Sequence, residues 1–127
     1  MTPEDVLHSW IDSVNSLDLD RVLSHYADGA TLVPTFSAKT LRTPDEIRDY
    51  FVRLAERPEL SVSLHRKTLT IQEQTTTAVL SGVYCFHFHI DDEPYHFEAR
   101  FSYVIDKTTD SRPILHHHSS QIPRQLG

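Results

Sequence analysis

The sequence predicts an α+β fold in which a strongly curved antiparallel sheet wraps over N-terminal helices. Two observations lead to this fold class. Apolar residues recur at helical spacing in the first half of the chain, and in the second half they alternate with polar residues over long runs. The length of 127 residues and a hydrophobic content of 39% fit a single domain, residues 1–127, with a small core.

Two helices are predicted at the start of the chain. Thr2 can cap the first helix, and Pro3 suits its first turn. Asp18 can cap a second, short helix, which we expect Asp28-Gly29 to end. The buried stripe of the first helix is Val6, Leu7, Trp10, Ile11 and Val14.

A short strand and a third helix follow. The segment ATLVPTFS has the pattern of a strand that Pro34 breaks. In RTPDEIRDYFVRLAERPE, Thr43 is a suitable cap, Glu46 stands three residues after it, and Pro58 closes the helix. The buried stripe of this helix is Ile47, Tyr50, Phe51 and Leu54.

The remaining segments predict the strands of the sheet. LSVSLHRKTLTIQE alternates but changes phase between Leu64 and Leu69, which indicates a bulge. TTTAVLSGVYCFHFHID and EPYHFEARFSYVID alternate over long spans, and Asp91-Asp92 can form the turn between them. PILHHHSSQI is the last strand. Helices first and long strands afterwards are typical of a sheet that covers a helical layer.

Composition excludes several classes of partner. The formal net charge is −6 and the pI is about 5.8, which argues against binding to nucleic acid or to an anionic membrane. The single Cys85 cannot form an internal disulfide, so a reducing cytoplasm is the expected location. The N-terminus lacks the apolar stretch of a signal peptide, and no apolar run approaches the ~20 residues that cross a bilayer.

The stretch ILHHHSSQIP carries most of the functional information. A zinc site needs three or four converging ligands. Neighbours on a strand point to opposite faces, so His116, His117 and His118 cannot all converge. His116 with His118, or His87 with His89, can converge as pairs, but no third ligand is assigned. We therefore predict no metal and no other cofactor.

Several motifs together resemble a known family. LVPTFS, RTPDEIRDYF, the strand ARFSYV and the terminal HHHSSQIP are similar to one branch of the nuclear transport factor 2-like superfamily. This branch is called SgcJ/EcaC-like. It is related to the association (hub) domain of calcium/calmodulin-dependent kinase and includes the iota-class carbonic anhydrases. The resemblance spans about Asp18 to Pro123 and implies a cystatin-like, cone-shaped fold with a pocket.

The resemblance to the iota class implies catalysis without metal. In that class a threonine, a tyrosine and a serine bind bicarbonate through their hydroxyls, and the matching residues here are Thr35, Tyr50 and Ser119. His117 shares a strand face with Ser119, and an imidazole with a pKa near 6.5 can carry the released proton. A slip of one residue would place Ser120 at the site instead.

Arg100 is a further candidate for substrate binding. The hub resemblance implies an arginine of the E-x-R strand at the pocket, and EAR fits it. Alternation nevertheless puts Arg100 on the face opposite Phe97 and Phe101, so a pairing with Glu98 at a subunit contact is the alternative.

Together these observations predict a metal-independent carbonic anhydrase, which interconverts CO₂ and bicarbonate. Two alternatives stay open: a non-catalytic hub or ligand-binding module, and an accessory isomerase-like or cyclase-like enzyme. Since three short helices cannot cover both faces of the long strands, we also expect a homodimer or a larger homo-oligomer.

Overall fold

The computed structural model describes residues 1–123. Three helices come first along the chain, with one strand between the second and the third. The helices are α1 (Pro3–Asn15), α2 (Leu19–Leu23) and α3 (Pro44–Ala55). The strands are β1 (Tyr26–Val33), β2 (Ser61–Leu64), β3 (Thr70–Glu73), β4 (Thr77–Ile90), β5 (Glu93–Asp106) and β6 (Ile114–Gln121).

Each helix begins at the cap that the sequence predicts. Thr2 Oγ1 accepts the N–H of Asp5 at 3.1 Å, and the Asp5 carboxylate accepts the N–H of Thr2 at 2.9 Å. At α2 the Asp18 side chain accepts the N–H of Arg21, and at α3 the Thr43 side chain accepts that of Glu46. These signals are reliable because a cap acts within one turn of its own helix.

The end of α2 differs from the prediction. The helix stops at Leu23, and Asp28-Gly29 lies inside β1 instead of closing the helix. The reason is a long-range pairing: Tyr26 is already in register with Ile114 of β6. Strand pairing between distant segments thus overrides the local turn signal.

The strands form one curved sheet in the order β1-β6-β5-β4-β2, and β3 also pairs with β4. The pairs among β2 to β6 are antiparallel, as predicted. β1 runs parallel to β6, so the sheet is mixed. A parallel pair needs a long connection, which the segment from α3 to β5 provides.

The phase change between Leu64 and Leu69 is larger than a single-residue bulge. Leu64 pairs with Tyr84 and Thr70 pairs with Ser81, so the five residues 65–69 lie opposite only two residues of β4. A 3-10 turn over Arg66–Thr68 takes up the extra length. The turn between β4 and β5 is as predicted, with Asp91 and Asp92 both at positive φ, 52° and 66°.

The core lies between the helices and the concave face of the sheet. Trp10 of α1 is 1% exposed and stacks on Tyr84 of β4 with ring centroids 5.8 Å apart. Phe51 of α3 packs edge-on against the same indole. None of the helices in the described part of the chain has the length and apolarity required to cross a bilayer.

Candidate functional site

The structure brings Thr35, Tyr50, Ser119 and His117 to one small cavity under the sheet. Thr35 follows Pro34 at the end of β1, Tyr50 lies on α3, and β6 supplies the other two side chains. Thr35 and Ser119 are 84 residues apart and share a hydrogen bond between their hydroxyls. The parallel pairing of β1 with β6 creates this contact, because it sets the end of β1 beside the end of β6.

The register of β6 decides which residues reach the cavity. His117 and Ser119 are each only 2% exposed. His118 is exposed and Ser120 half-buried, and both line a groove on the opposite face of the sheet. The register of β6 therefore turns Ser119 toward the cavity and Ser120 toward the opposite face of the sheet.

Tyr50 closes the cavity on the helical side. Its hydroxyl accepts the N–H of Phe36 at 3.3 Å, so the residue after Thr35 is tied to α3. Burial raises the pKa of Tyr50 to about 12, so the side chain keeps its proton at physiological pH. About 10 Å³ is open to the centre of a water molecule, which is room for about one water.

His117 is held in a fully buried, neutral state. Its Nδ1 lies 2.8 Å from the hydroxyl of Tyr26 and its Nε2 lies 3.0 Å from that of Tyr84. The ring of Tyr103 stacks on the imidazole at 3.9 Å. Burial lowers the pKa of His117 well below its usual range, and the adjacent histidines lower it further. The expectation that this imidazole keeps a pKa near 6.5 is therefore wrong.

Arg100 does not join this cluster. It is exposed on the convex face of β5, where it lines the groove that also contains His118 and Ser120. Alternate residues of a strand point to opposite faces, and its neighbours Ala99 and Phe101 take the buried one. Arg100 therefore lies outside the cavity that contains Thr35, contrary to the prediction.

The histidine pairs gain no third partner. Within residues 1–123, no group of three or more His, Cys, Asp or Glu side chains is arranged to hold a metal ion. His87 lies across from His96 on β5 with ring centroids 6.3 Å apart, on the convex face of the sheet.

The sequence did not reveal three residues of the site. Tyr84 lines the cavity beside Ser119, and Tyr26 and Trp10 continue the hydrogen bonding behind His117. Their apolar neighbours made them look like ordinary core positions. The available signal was their type, because a buried Tyr or Trp usually needs a partner for its polar atom.

Comparison with solved structures shows many similar folds. A protein from Xanthomonas campestris, assigned provisionally as a calcium/calmodulin-dependent protein kinase II association domain, superposes with a TM-score of 0.85 at 22% identity, covering 96% of this chain and 86% of that one. The CaMKII hub of S. rosetta superposes with a TM-score of 0.79 at 18% identity, covering 96% of this chain and 98% of the hub chain. A ketosteroid isomerase-like protein from Erwinia carotovora atroseptica superposes with a TM-score of 0.74 at 12% identity, covering 95% of this chain and 94% of that one.

At these identities the similarity establishes the fold and not the activity. No curated protein matches the chain in sequence. The family profile of the SnoaL-like domain, by contrast, matches residues 4–125, which is nearly the whole chain. The chain is therefore a member of the SnoaL-like domain family.

Proposed function

We propose that this protein is a metal-independent carbonic anhydrase of the iota type. The observation that carries the proposal is the hydrogen-bonded pair of Thr35 and Ser119, with the Tyr50 side chain on the same cavity. Hydroxyls suit bicarbonate because each can both donate and accept a hydrogen bond. The site is small, and its lining side chains carry no carboxylate or ammonium group.

The substrate enters by separating the Thr35–Ser119 pair. The two hydroxyls then face the carbon dioxide and the attacking water, and Tyr50, which keeps its proton, donates to an oxygen on which negative charge develops. Orientation of both reactants in a dry cavity supplies a further part of the rate enhancement.

The depressed pKa of His117 makes a hydroxyl relay the better route for the proton. In this step the water oxygen bonds to carbon while one C–O π bond of CO₂ opens toward its oxygen, and the water gives one proton to the oxygen of Ser119. Ser119 gives its own proton to an oxygen of CO₂, so the product is carbonic acid and the serine is regenerated. Carbonic acid then loses a proton to solvent and leaves as bicarbonate.

The first experiment is a CO₂ hydration assay on protein that has been exhaustively chelated. We expect activity to remain, with well under one zinc per chain by elemental analysis. Loss of activity on chelation, with recovery on adding zinc, would contradict the mechanism and point to the histidine pairs.

The second experiment compares Ser119→Ala with Ser120→Ala. Removing the Ser119 hydroxyl takes away a donor and the relay, so we expect CO₂ hydration to fall by on the order of a hundredfold. Ser120 lies on the other face of the same strand, so Ser120→Ala should leave the rate unchanged and is the matched control. Equal rates for wild type and Ser119→Ala would exclude this serine from the site.

A second candidate is a non-catalytic oligomerisation module. It is favoured by the similarity in fold to the S. rosetta hub and by the open groove on the convex face of the sheet. In both proposals the chain associates with itself through that face. A large assembly without any CO₂ hydration activity would favour this candidate over the enzyme.

A further inference from the structure

A chain of buried hydrogen bonds runs through the core and ends at the candidate site. Trp10 Nε1 donates to the hydroxyl of Tyr26 at 3.0 Å. The Tyr26 hydroxyl lies 2.8 Å from His117 Nδ1, and His117 Nε2 lies 3.0 Å from the hydroxyl of Tyr84. Tyr84 lines the same cavity as Thr35 and Ser119. All four members of the chain are at most 3% exposed.

The direction of donation along these hydrogen bonds follows from Trp10, the residue at which they begin. The indole N–H of Trp10 can only donate, so the Tyr26 oxygen accepts from it. Within residues 1–123, the other hydrogen-bond partner of that oxygen is His117 Nδ1, so the Tyr26 proton is donated there. A neutral imidazole that accepts at Nδ1 carries its proton on Nε2, and Nε2 therefore donates to Tyr84.

The last hydroxyl of the chain must then donate away from His117. The Tyr84 oxygen already accepts from the imidazole, so its own proton is available to the cavity that Tyr84 shares with Thr35 and Ser119. Burial raises the pKa of Tyr84, so this hydroxyl keeps its proton at physiological pH and can donate it. The Tyr50 hydroxyl, which accepts from Phe36 N, also has its proton free for the cavity.

We infer that Tyr84 is a substrate-contacting donor and that Trp10, through Tyr26 and His117, fixes the direction in which it donates. The site consequently selects small planar oxyanions, such as carboxylates and bicarbonate, over neutral amides of the same size. This inference rests on the site of the proposed function, but it does not depend on the CO₂ hydration reaction.

Tyr103 provides a matched comparison within the same cluster. It is fully buried like Tyr84, and its ring also contacts His117. Its hydroxyl has no hydrogen-bond partner in the part of the chain that the structure describes. Tyr103→Phe therefore removes no donor from the series of hydrogen bonds between Trp10 and Tyr84, and it keeps the aromatic ring that packs on His117.

The first test is the tautomer of His117 in the wild-type protein, read from long-range ¹H–¹⁵N correlations at neutral pH. We expect a neutral ring protonated at Nε2. A ring protonated at Nδ1, or a charged imidazolium, would overturn the inferred direction of the chain.

The second test is the binding of formate, followed by chemical shift changes in wild type, Tyr84→Phe and Tyr103→Phe. A lost hydrogen bond to a charged ligand predicts about tenfold or greater weakening for Tyr84→Phe. Tyr103→Phe should bind formate like the wild type, and formamide should bind the wild type at least tenfold more weakly than formate.

These outcomes separate the inference from the proposed function. Formate binding that depends on Tyr84, in a protein without CO₂ hydration activity, would sustain the inference while the carbonic anhydrase proposal fails. Absence of formate binding by the wild type, equal effects of the two tyrosine variants, or equal binding of formamide would each overturn the inference.

Discussion

His117 illustrates at the scale of one residue how burial changes the chemistry of a side chain. On the sequence it looks like a proton carrier, because a free imidazole titrates near neutrality. In the folded chain two tyrosine hydroxyls occupy its ring nitrogens and an aromatic ring covers its face. It is therefore better suited to transmit the orientation of a hydrogen bond than to store a proton.

The burial of His117 in its neutral form predicts that the folded protein is less stable in acid. Burial lowers the pKa of His117 and of His25 on folding. Below a pH of about 6.5 the unfolded chain binds protons that the folded chain excludes, so the free energy of unfolding falls as the pH falls. Each fully neutral histidine contributes up to ~1.4 kcal/mol per pH unit in that window. Denaturant unfolding at several pH values between about 7.5 and 5 measures the slope.

The control for this prediction lies on the same strand. His117→Gln should flatten the dependence of stability on pH, whatever it does to stability at neutral pH. His118→Gln changes an exposed residue whose effect on the pKa of His117 is smaller than that of burial, so it should change the slope much less than His117→Gln does. A wild-type protein with the same stability throughout this range would show that His117 is not buried in its neutral form.

At the residue scale the sequence predicted several side chains that line the candidate site. Thr35, Tyr50 and Ser119, matched by resemblance, and His117, which shares a strand face with Ser119, all line one cavity. Tyr84 and Tyr26 could not be found in this way, because their roles depend on contacts with residues 33 and 91 positions away along the chain. Alternation indicates the face of a side chain but not the partner of its hydroxyl.

Among the secondary structure elements, β4 carries a glycine with a specific packing role. A methyl group on Gly82 would meet the ring of Phe101 at 3.0 Å and Thr68 Oγ1 at 3.1 Å. Phe101 is 3% exposed and its ring packs against Tyr84 at 4.6 Å, so the ring has little room to move. The Thr68 hydroxyl is also fixed, since it accepts the N–H of Val83.

We therefore predict that Gly82→Ala destabilises the protein by about 1–3 kcal/mol, the usual cost of overpacking. Gly29→Ala is the matched control in β1, because no atom lies within 4 Å of the added methyl position. Its effect should stay within about 0.5 kcal/mol. Thermal unfolding of both variants measures the difference, and equal midpoints would mean that the strand at Gly82 adjusts without cost.

The elements also show which features a sequence determines locally. The starts of α1, α2 and α3 were predicted because each cap acts on its own first turn. The start of β1 and the five-residue excursion at 65–69 were not, because both depend on the partner strand. A phase change in the alternation of apolar and polar residues indicates that extra residues are inserted in a strand, but it does not give their number.

At the scale of the whole molecule, residues 1–123 leave a groove open on the convex face of the sheet. The groove has a volume of about 500 Å³ and is lined by residues of three neighbouring strands and of the 3-10 turn. Arg100, His118 and Ser120 give it a polar character, so that any association through this face would resemble a wet interface more than a core.

We predict that the protein is at least a dimer at micromolar concentration and that this face is buried. Ser102→Arg places a long cation beside Arg100 in the groove and should shift the mass in light scattering toward the monomer. Ser111→Arg adds the same charge to an exposed loop residue and should not. A monomeric wild type would refute the predicted assembly.

The parallel pairing of β1 with β6 has a consequence for biosynthesis. The chain is made from its N-terminus, so Thr35 leaves the ribosome 84 residues before Ser119. Until β6 is added, β1 has no neighbouring strand among residues 1–123, and the polar atoms of Trp10 and Tyr26 lack the imidazole that organises them. The candidate site therefore cannot form until β6 is added, so its cavity is completed late in synthesis.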